Sequence, residues 1–201
     1  MKGKKPCIVI IEDHPIMRNG LDDYFTKTGR WDVAGTTPTL QGAKDLLEST
    51  TTDVVLIDIQ LEDGWGLDII PWYAQRTEYA PLMAVYTSFD DYAHVSAAMT
   101  LGVQAYITKR QNEQQLEEAL RRALTGETYI DETAMFILDA FKNQLQLLSK
   151  RESEIFTLVK QKYTNKQIAD KLRISARTVE NILSCVYDKI GVRSRYELEM
   201  L

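Results

Sequence analysis

Four short runs of continuous apolar residues, Cys7–Ile11, Val54–Ile57, Leu82–Tyr86 and Val103–Ile107, constrain this chain more than any other feature. A strand wet on one face alternates apolar with polar residues. A run without polar positions suits a strand covered on both faces, as in a parallel sheet. A weaker fifth run is Trp31–Ala34. Between the runs lie helix-period segments, Pro15–Lys27, Leu40–Ser49, Leu67–Gln75, Tyr92–Leu101 and Glu113–Leu124. Strands alternating with helices imply βαβ units, so the predicted fold of this part is α/β, a doubly wound parallel sheet of five strands. Asp63-Gly64 and Gly102 fall where its turns belong.

The pattern changes at Gly126. From there to about Leu148 there is no strand signal and one amphipathic stretch, Thr133–Leu148, which reads as a linker with a helix. Ser149…Glu152, Thr164…Gln167 and Ser194…Glu197 then fit the capping box, in which a hydroxyl and an acid or amide three residues on satisfy each other's backbone N–H groups. Ser175 can cap a further helix alone. Four short helices predict a small all-α domain, giving boundaries of 1–125, 126–148 and 149–201.

Charge divides at the same place. Residues 149–201 hold 11 Lys and Arg against 7 Asp and Glu, a net +4, and residues 1–148 hold 13 against 22, a net −9. The total of −5 argues against a uniformly basic nucleic-acid coat but leaves room for a basic domain. Hydrophobic residues at 44% exclude a disordered chain. Two cysteines are too few for a disulfide framework and read as reduced thiols. The basic start resembles a signal peptide, but its apolar run of 5 residues, Cys7–Ile11, is too short for an h-region. No stretch approaches the ~18 apolar residues of a membrane span. The expected location is the cytoplasm, with no membrane partner.

Glu12 and Asp13 end the first strand and Asp58 the third. In an open α/β sheet ligands bind outside the carboxyl ends of the strands, near the switch point of strand order. Three carboxylates gathered there repel one another unless a cation joins them, and oxygen ligands favour a hard ion such as Mg2+. Thr87 and Lys109, at the ends of the fourth and fifth strands, add a hydroxyl and an ammonium that suit an anion beside the metal. One economical use is a carboxylate nucleophile attacking phosphorus, with Asp58 as that nucleophile. Each residue alone has a plainer reading, as a solvated turn, a strand terminus or a surface lysine. His14 reads as a loop residue before Pro15, which suits the first turn of a helix.

Ile-Glu-Asp-His-Pro (11–15), Leu-Ile-Asp-Ile-Gln-Leu-Glu-Asp-Gly (56–64), Tyr-Thr-Ser (86–88) and Tyr-Ile-Thr-Lys (106–109) resemble the receiver domain of two-component response regulators over about residues 5–125. The resemblance implies a flavodoxin-like sheet and phosphorylation of Asp58 by a histidine kinase. It implies that Asp13, Asp58 and the backbone carbonyl of Gln60 ligate Mg2+, with Glu12 acting partly through water. It assigns Lys109 and Thr87 to the phosphoryl group and makes Tyr106 an aromatic switch that turns inward. Aspartyl-nucleophile phosphatases also carry an Asp after an apolar strand. Their general acid sits two residues on, where this chain has Gln60, so turnover of external substrates is not expected.

In the tail, Thr164–Leu172, Arg173-Ile-Ser175 and Ala176–Ile190 read as helix, turn, helix. Val179, Leu183, Val186 and Ile190 form one apolar stripe, and Arg177, Glu180, Asn181, Ser184 and Asp188 the opposite face. A polar second helix held by a first is how such a unit enters the major groove, although a plain helical bundle has the same periodicity. Leu148–Ile155, Thr164–Ala169, Ile174–Val179 and Asp188–Arg195 resemble the LuxR-type helix-turn-helix, and the whole chain resembles NarL/FixJ-class response regulators. That resemblance makes Lys166 and Lys189 phosphate contacts, with Arg193 and Arg195 as further candidates. It directs Arg177, Thr178, Glu180, Asn181 and Ser184 to base edges. The expected function is a phosphorylation-switched transcription regulator that dimerises and binds promoter DNA. The alternative is a receiver-based interaction module whose tail has lost DNA reading, motivated by the acids Glu180 and Asp188.

Overall fold

The computed structural model describes residues 4–76 and 80–201. The basic start at residues 1–3 lies outside them. The chain forms two compact units, Met1–Met135 and Phe136–Leu201.

The first unit runs β1 (Cys7–Ile11), α1 (Pro15–Thr28), β2 (Asp32–Thr37), α2 (Leu40–Ser49), β3 (Val54–Ile57), β4 (Gln60–Leu61), β5 (Gly64–Trp65), α3 (Ile69–Ala74), β6 (Leu82–Thr87), α4 (Tyr92–Thr100), β7 (Ala105–Thr108), α5 (Glu113–Leu124) and β8 (Tyr129–Ile130). The unit boundary falls within α6 (Glu132–Gln146). The main sheet has the order β2-β1-β3-β6-β7-β8, and its pairings are parallel. The chain leaves β1 to one side for β2 and returns to the other for β3, so the switch point lies between β1 and β3. β3 and β6 are buried at every position, as continuous apolarity demands. Ile8, Ile10, Leu56, Ala84 and Ile107 share a core with Leu21 and Phe25 of α1 and Leu116 and Leu120 of α5.

Two differences from the sequence reading have local causes. The main sheet has six strands rather than five, because β8 is two residues long and too short to register as an apolar run. The edge strand β2 lies at 32–37 rather than 31–34; its mainly half-buried residues and the register shift beside Val9 hide it from an apolar scan.

The second unit contains α7 (Lys150–Lys160), α8 (Asn165–Leu172), α9 (Ala176–Ile190) and α10 (Arg195–Met200). Ser149 with Glu152 and Thr164 with Gln167 form reciprocal capping boxes, and Ser175 caps α9 alone. At α10 only half the box forms. Ser194 accepts from the Glu197 N–H, while the Glu197 carboxylate accepts from the Arg193 N–H instead. Val179, Leu183, Val186 and Ile190 of α9 are buried with Ile155 and Val159 of α7 and Ile168 of α8. No helix among the described residues is long and apolar enough to cross a membrane.

Candidate functional site

Register brings the carboxylates together. Ile11 pairs with Ile57, and the Asp58 N–H donates to the Ile11 carbonyl at 2.8 Å, so the residues that follow both strands emerge side by side at the switch point. Beyond Asp58 the chain turns back as the hairpin β4–β5. Gly66 makes that return possible, because a Cβ there would stand 1.9 Å from the Asp58 carbonyl oxygen. Asp63 in the hairpin turn accepts the N–H groups of Leu40 and Gln41 at 2.6 and 3.0 Å, fastening the loop to the start of α2. Burial raises the Asp63 pKa, but these bonds outweigh it and hold the carboxyl below its usual range.

Asp58 and Glu12 are buried, at 5% and 2% exposure, and Asp13 is largely so. Isolated buried carboxylates are costly, so their partners matter. Lys109 Nζ lies 2.6 Å from Asp58 Oδ2 and 2.7 Å from Glu12 Oε2. Burial works against its charge, but the hydrogen bonds to Asp58 and Glu12 outweigh that and hold Lys109 above the ordinary lysine range. Glu12 Oε1 accepts the His14 N–H at 3.1 Å, so both Glu12 oxygens are engaged. Arg18, which the sequence reading did not single out, donates to the carbonyls of Glu12 and Asp13 at 2.8 and 3.1 Å and holds the loop after β1.

Two oxygens are left over. Asp58 Oδ1 and Asp13 Oδ1 are buried without a hydrogen bond; His14 Nδ1 stands 2.7 Å from the latter, outside hydrogen-bonding geometry. Glu12, Asp13, His14 and Asp58 each offer a ligand atom, all within 4.8 Å of one another. Three carboxylates gather here with one lysine ammonium against two of them, and two buried oxygens accept no hydrogen bond. The donor set therefore fits a hard divalent cation. Gln60 opens β4 two residues past Asp58 with its side chain exposed.

Thr87 ends β6 fully buried, and its Oγ1 accepts the Phe89 N–H at 3.4 Å. Tyr106 is fully buried and its hydroxyl donates to the Phe89 carbonyl at 2.9 Å. The expectation that Tyr106 turns inward on phosphorylation is corrected here: the ring is already inside, because the Phe89 carbonyl gives its hydroxyl a partner there. Burial pushes the Tyr106 pKa up, so it remains a donor. Phe89 stacks on His94 with ring centres 4.0 Å apart, and Trp65 stands 5.1 Å from His94. This aromatic cluster joins the hairpin to α4; no periodic signal marked it. His14 sits at the cap position of α1 with its ring 73% exposed, ahead of Pro15 in the first turn.

In the second unit Arg177, Thr178, Glu180, Asn181, Ser184 and Asp188 are exposed along α9, opposite its buried stripe, and Lys166 is exposed on α8. Thr178 Oγ1 shares a 2.7 Å hydrogen bond with Ser175 Oγ at the helix start. Lys189 differs. Its Nζ lies 2.7 and 2.9 Å from the Glu152 oxygens and 3.1 Å from the Leu147 carbonyl. Hydrogen bonds from Lys189 and from Ser149 hold Glu152 at about 2. Arg195 reaches Glu199, Asn165 and the Tyr163 carbonyl. Both side chains are tied to neighbouring helices, whereas Arg193 is exposed. A scan for basic residues cannot separate a fastener from a free charge.

Residues 8–121 match the family described as response regulator receiver domain, and residues 146–201 the family described as bacterial regulatory proteins, luxR family. The chain is 30% identical over 204 residues to the oxygen regulatory protein NreC of Staphylococcus aureus (strain JH9), covering 95% of this chain and 94% of that protein. The structure of two RcsB dimers bound to two parallel DNAs matches with a TM-score of 0.71 and 22% identity, over 98% of this chain and 97% of that one. RcsB from Salmonella enterica serovar Typhimurium, bound to promoter P1flhDC in the presence of phosphomimetic BeF3-, matches with a TM-score of 0.68 and 23% identity, over 98% and 97%. These structural likenesses speak to the fold.

Proposed function

This chain belongs to the response regulators of the NarL/FixJ class, a receiver followed by a LuxR-type domain, and on that premise we propose that phosphorylation of Asp58 controls promoter binding by the exposed face of α9. The observation that carries the reading is the pairing at Asp58. One carboxylate oxygen is held by Lys109, and the other is buried without a hydrogen bond, as is an oxygen of the neighbouring Asp13.

Asp58 attacks the phosphorus of a phosphohistidine on the partner kinase. The new O–P bond makes an acyl phosphate as the P–N bond breaks, and its electron pair returns to the imidazole of the kinase. Asp13, Asp58 and the Gln60 carbonyl are the ligands proposed for Mg2+, with Glu12 acting through water. When bound, Mg2+ offsets the negative charge of the phosphoryl oxygens. Lys109 leaves the carboxylate for a phosphoryl oxygen, and Thr87 turns its hydroxyl from the Phe89 N–H to another. The Tyr106 ring, already seated, holds the Phe89 carbonyl and so ties the loop after Thr87 to β7. With Gln60 where an acid would stand, Asp58 is an acceptor that loses its phosphoryl group slowly by itself and not a turnover phosphatase.

The functional division proposed is a receiver at 1–125, a linker with a helix at 126–148 and a DNA-binding domain at 149–201. Arg177, Thr178, Glu180, Asn181 and Ser184 face base edges, and Lys166 contacts phosphate. Lys189 remains a phosphate candidate only through its position on α9, since its ammonium is engaged by Glu152. Glu180 can accept a hydrogen bond from cytosine N4, which gives a carboxylate a place on a reading face. A cytoplasmic homodimer of the phosphorylated form supplies two tails, and the second contact is then intramolecular. The alternative, a protein-interaction module, rests on the exposed acids Glu180 and Asp188. Selection of bound sequences from random DNA by the full chain, treated with acetyl phosphate and Mg2+, decides between them. Enrichment of one motif supports the DNA reading; no binding even at low salt sinks it.

A further inference from the structure

A buried carboxylate outside the acceptor site ties its edge to the linker helix. Asp131 follows β8 and precedes α6, and it is 1% exposed. Its Oδ2 accepts both the N–H and the hydroxyl of Thr108, each at 2.6 Å. Its Oδ1 accepts the N–H of Ala134 at 2.8 Å, and its carbonyl accepts the N–H of Met135 at 2.8 Å, so Asp131 caps α6. Its own N–H donates to the Tyr106 carbonyl at 3.0 Å. Charge-assisted bonds of this kind are stronger than neutral ones, and removing any donor leaves the buried oxygen short. Thr108 is the residue before Lys109, whose N–H donates to the Thr87 carbonyl at 2.7 Å. One side chain is therefore shared by β7, which carries Tyr106 and Thr108 and leads into Lys109, and by the first turn of α6.

We propose that Asp131 transmits the phosphorylation state of Asp58 to the first turn of α6. The inference rests on Asp58 being the acceptor. When Lys109 moves from the Asp58 carboxylate to a phosphoryl oxygen, the Thr108–Lys109 peptide moves with it. Both Thr108 donors sit on the carboxylate that caps α6, so the cap tightens or slackens in response. Coupling needs an element with two arrangements that both sites bias. Here that element is the α6 first turn, capped or frayed, at the head of the segment leading to the LuxR-type domain.

The test is hydrogen exchange of the full chain at residues 132–135, with Mg2+, before and after acetyl phosphate, with intact mass recorded on the same samples. In the unaltered protein the exchange rate of the Ala134 and Met135 amides shifts by about fivefold or more on loading. Asp131→Asn places an amide donor against the Thr108 donors. Thr108→Val removes only the hydroxyl and keeps a β-branched strand residue, which guards against a misfolded first variant. Both variants still take up the phosphoryl group, and both lose most of the exchange shift. An undiminished shift in a variant that loads, or no shift in loaded unaltered protein, overturns the inference. Absence of the mass adduct in unaltered protein overturns the acceptor reading and this inference with it, and the mass record tells the two failures apart.

Discussion

The carboxylate edge of the sheet and the exposed face of α9 handle charge in opposite ways. At the sheet edge, Glu12 and Asp58 are buried against Lys109 with Asp13 largely buried nearby, and two carboxylate oxygens accept no hydrogen bond. On α9, Arg177, Glu180 and Asp188 stand exposed. Burying charge is costly, so an arrangement of buried like charges points to a ligand with the complementary charge. Exposed charge costs almost nothing and is compatible with many partners. The first region therefore states its chemistry through geometry. The second states only a shape, a polar helix on a small apolar base, and needs a binding experiment to say what it reads.

Substitutions can break the contrast, starting with the largest effect. Asp58→Asn abolishes the adduct with acetyl phosphate, read by intact mass, and leaves fold and basal DNA binding in place. An adduct of equal yield would move the acceptor elsewhere. Lys109→Ala leaves the carboxylates without their internal counter-charge, and loss of one partner from a buried pair costs about 3 kcal/mol. Because a cation can replace part of that charge, thermal melts of this variant gain more from added Mg2+ than those of the unaltered chain. An equal gain in both proteins contradicts the cation assignment.

The two lysines of the tail separate fastening from binding. Lys189→Met lowers the melting temperature of the tail, because Glu152 loses its partner. Lys166→Ala leaves that temperature unchanged but flattens the dependence of log affinity for DNA on log salt by about one unit. The reverse pattern would exchange their roles. A related pH effect follows. Glu152 is held at about 2 in the fold against an ordinary value of 4.5. A depressed carboxyl contributes stability fully present above its unfolded value and lost as pH falls through its folded one. Acid titration of thermal stability should therefore slope downward below about pH 4.5 toward pH 2, less steeply in Glu152→Gln. The smallest effect is at Asp63. Asp63→Ala removes a side chain that caps α2 from the hairpin and costs about 1 kcal/mol in chemical denaturation.

Where one physical rule governed a feature, the residues alone revealed it. Continuous apolar runs located β3 and β6, and the spacing of a hydroxyl and an acid or amide located the starts of α7 and α8. Acids at strand ends located the carboxylate cluster, since parallel topology leaves only one place for them to meet. What stayed hidden depends on packing across the chain. β8 is two residues long, and no local pattern shows that Thr108 and the start of α6 share the Asp131 carboxylate. Lys189 reads as a phosphate contact until Glu152 is placed beside it, and the Tyr106 ring is seated by a backbone carbonyl that leaves no mark in the sequence.

The central claim is that charge added at Asp58 changes what the tail does. Its most direct test is the affinity of the full chain for a selected DNA site at fixed salt, with and without beryllium fluoride and Mg2+. The account predicts tightening by about fivefold to a hundredfold, in the range of ordinary coupling energies, and none in Asp58→Asn. Equal affinity in the presence and absence of the phosphoryl mimic, with the mimic shown to occupy Asp58, would contradict it.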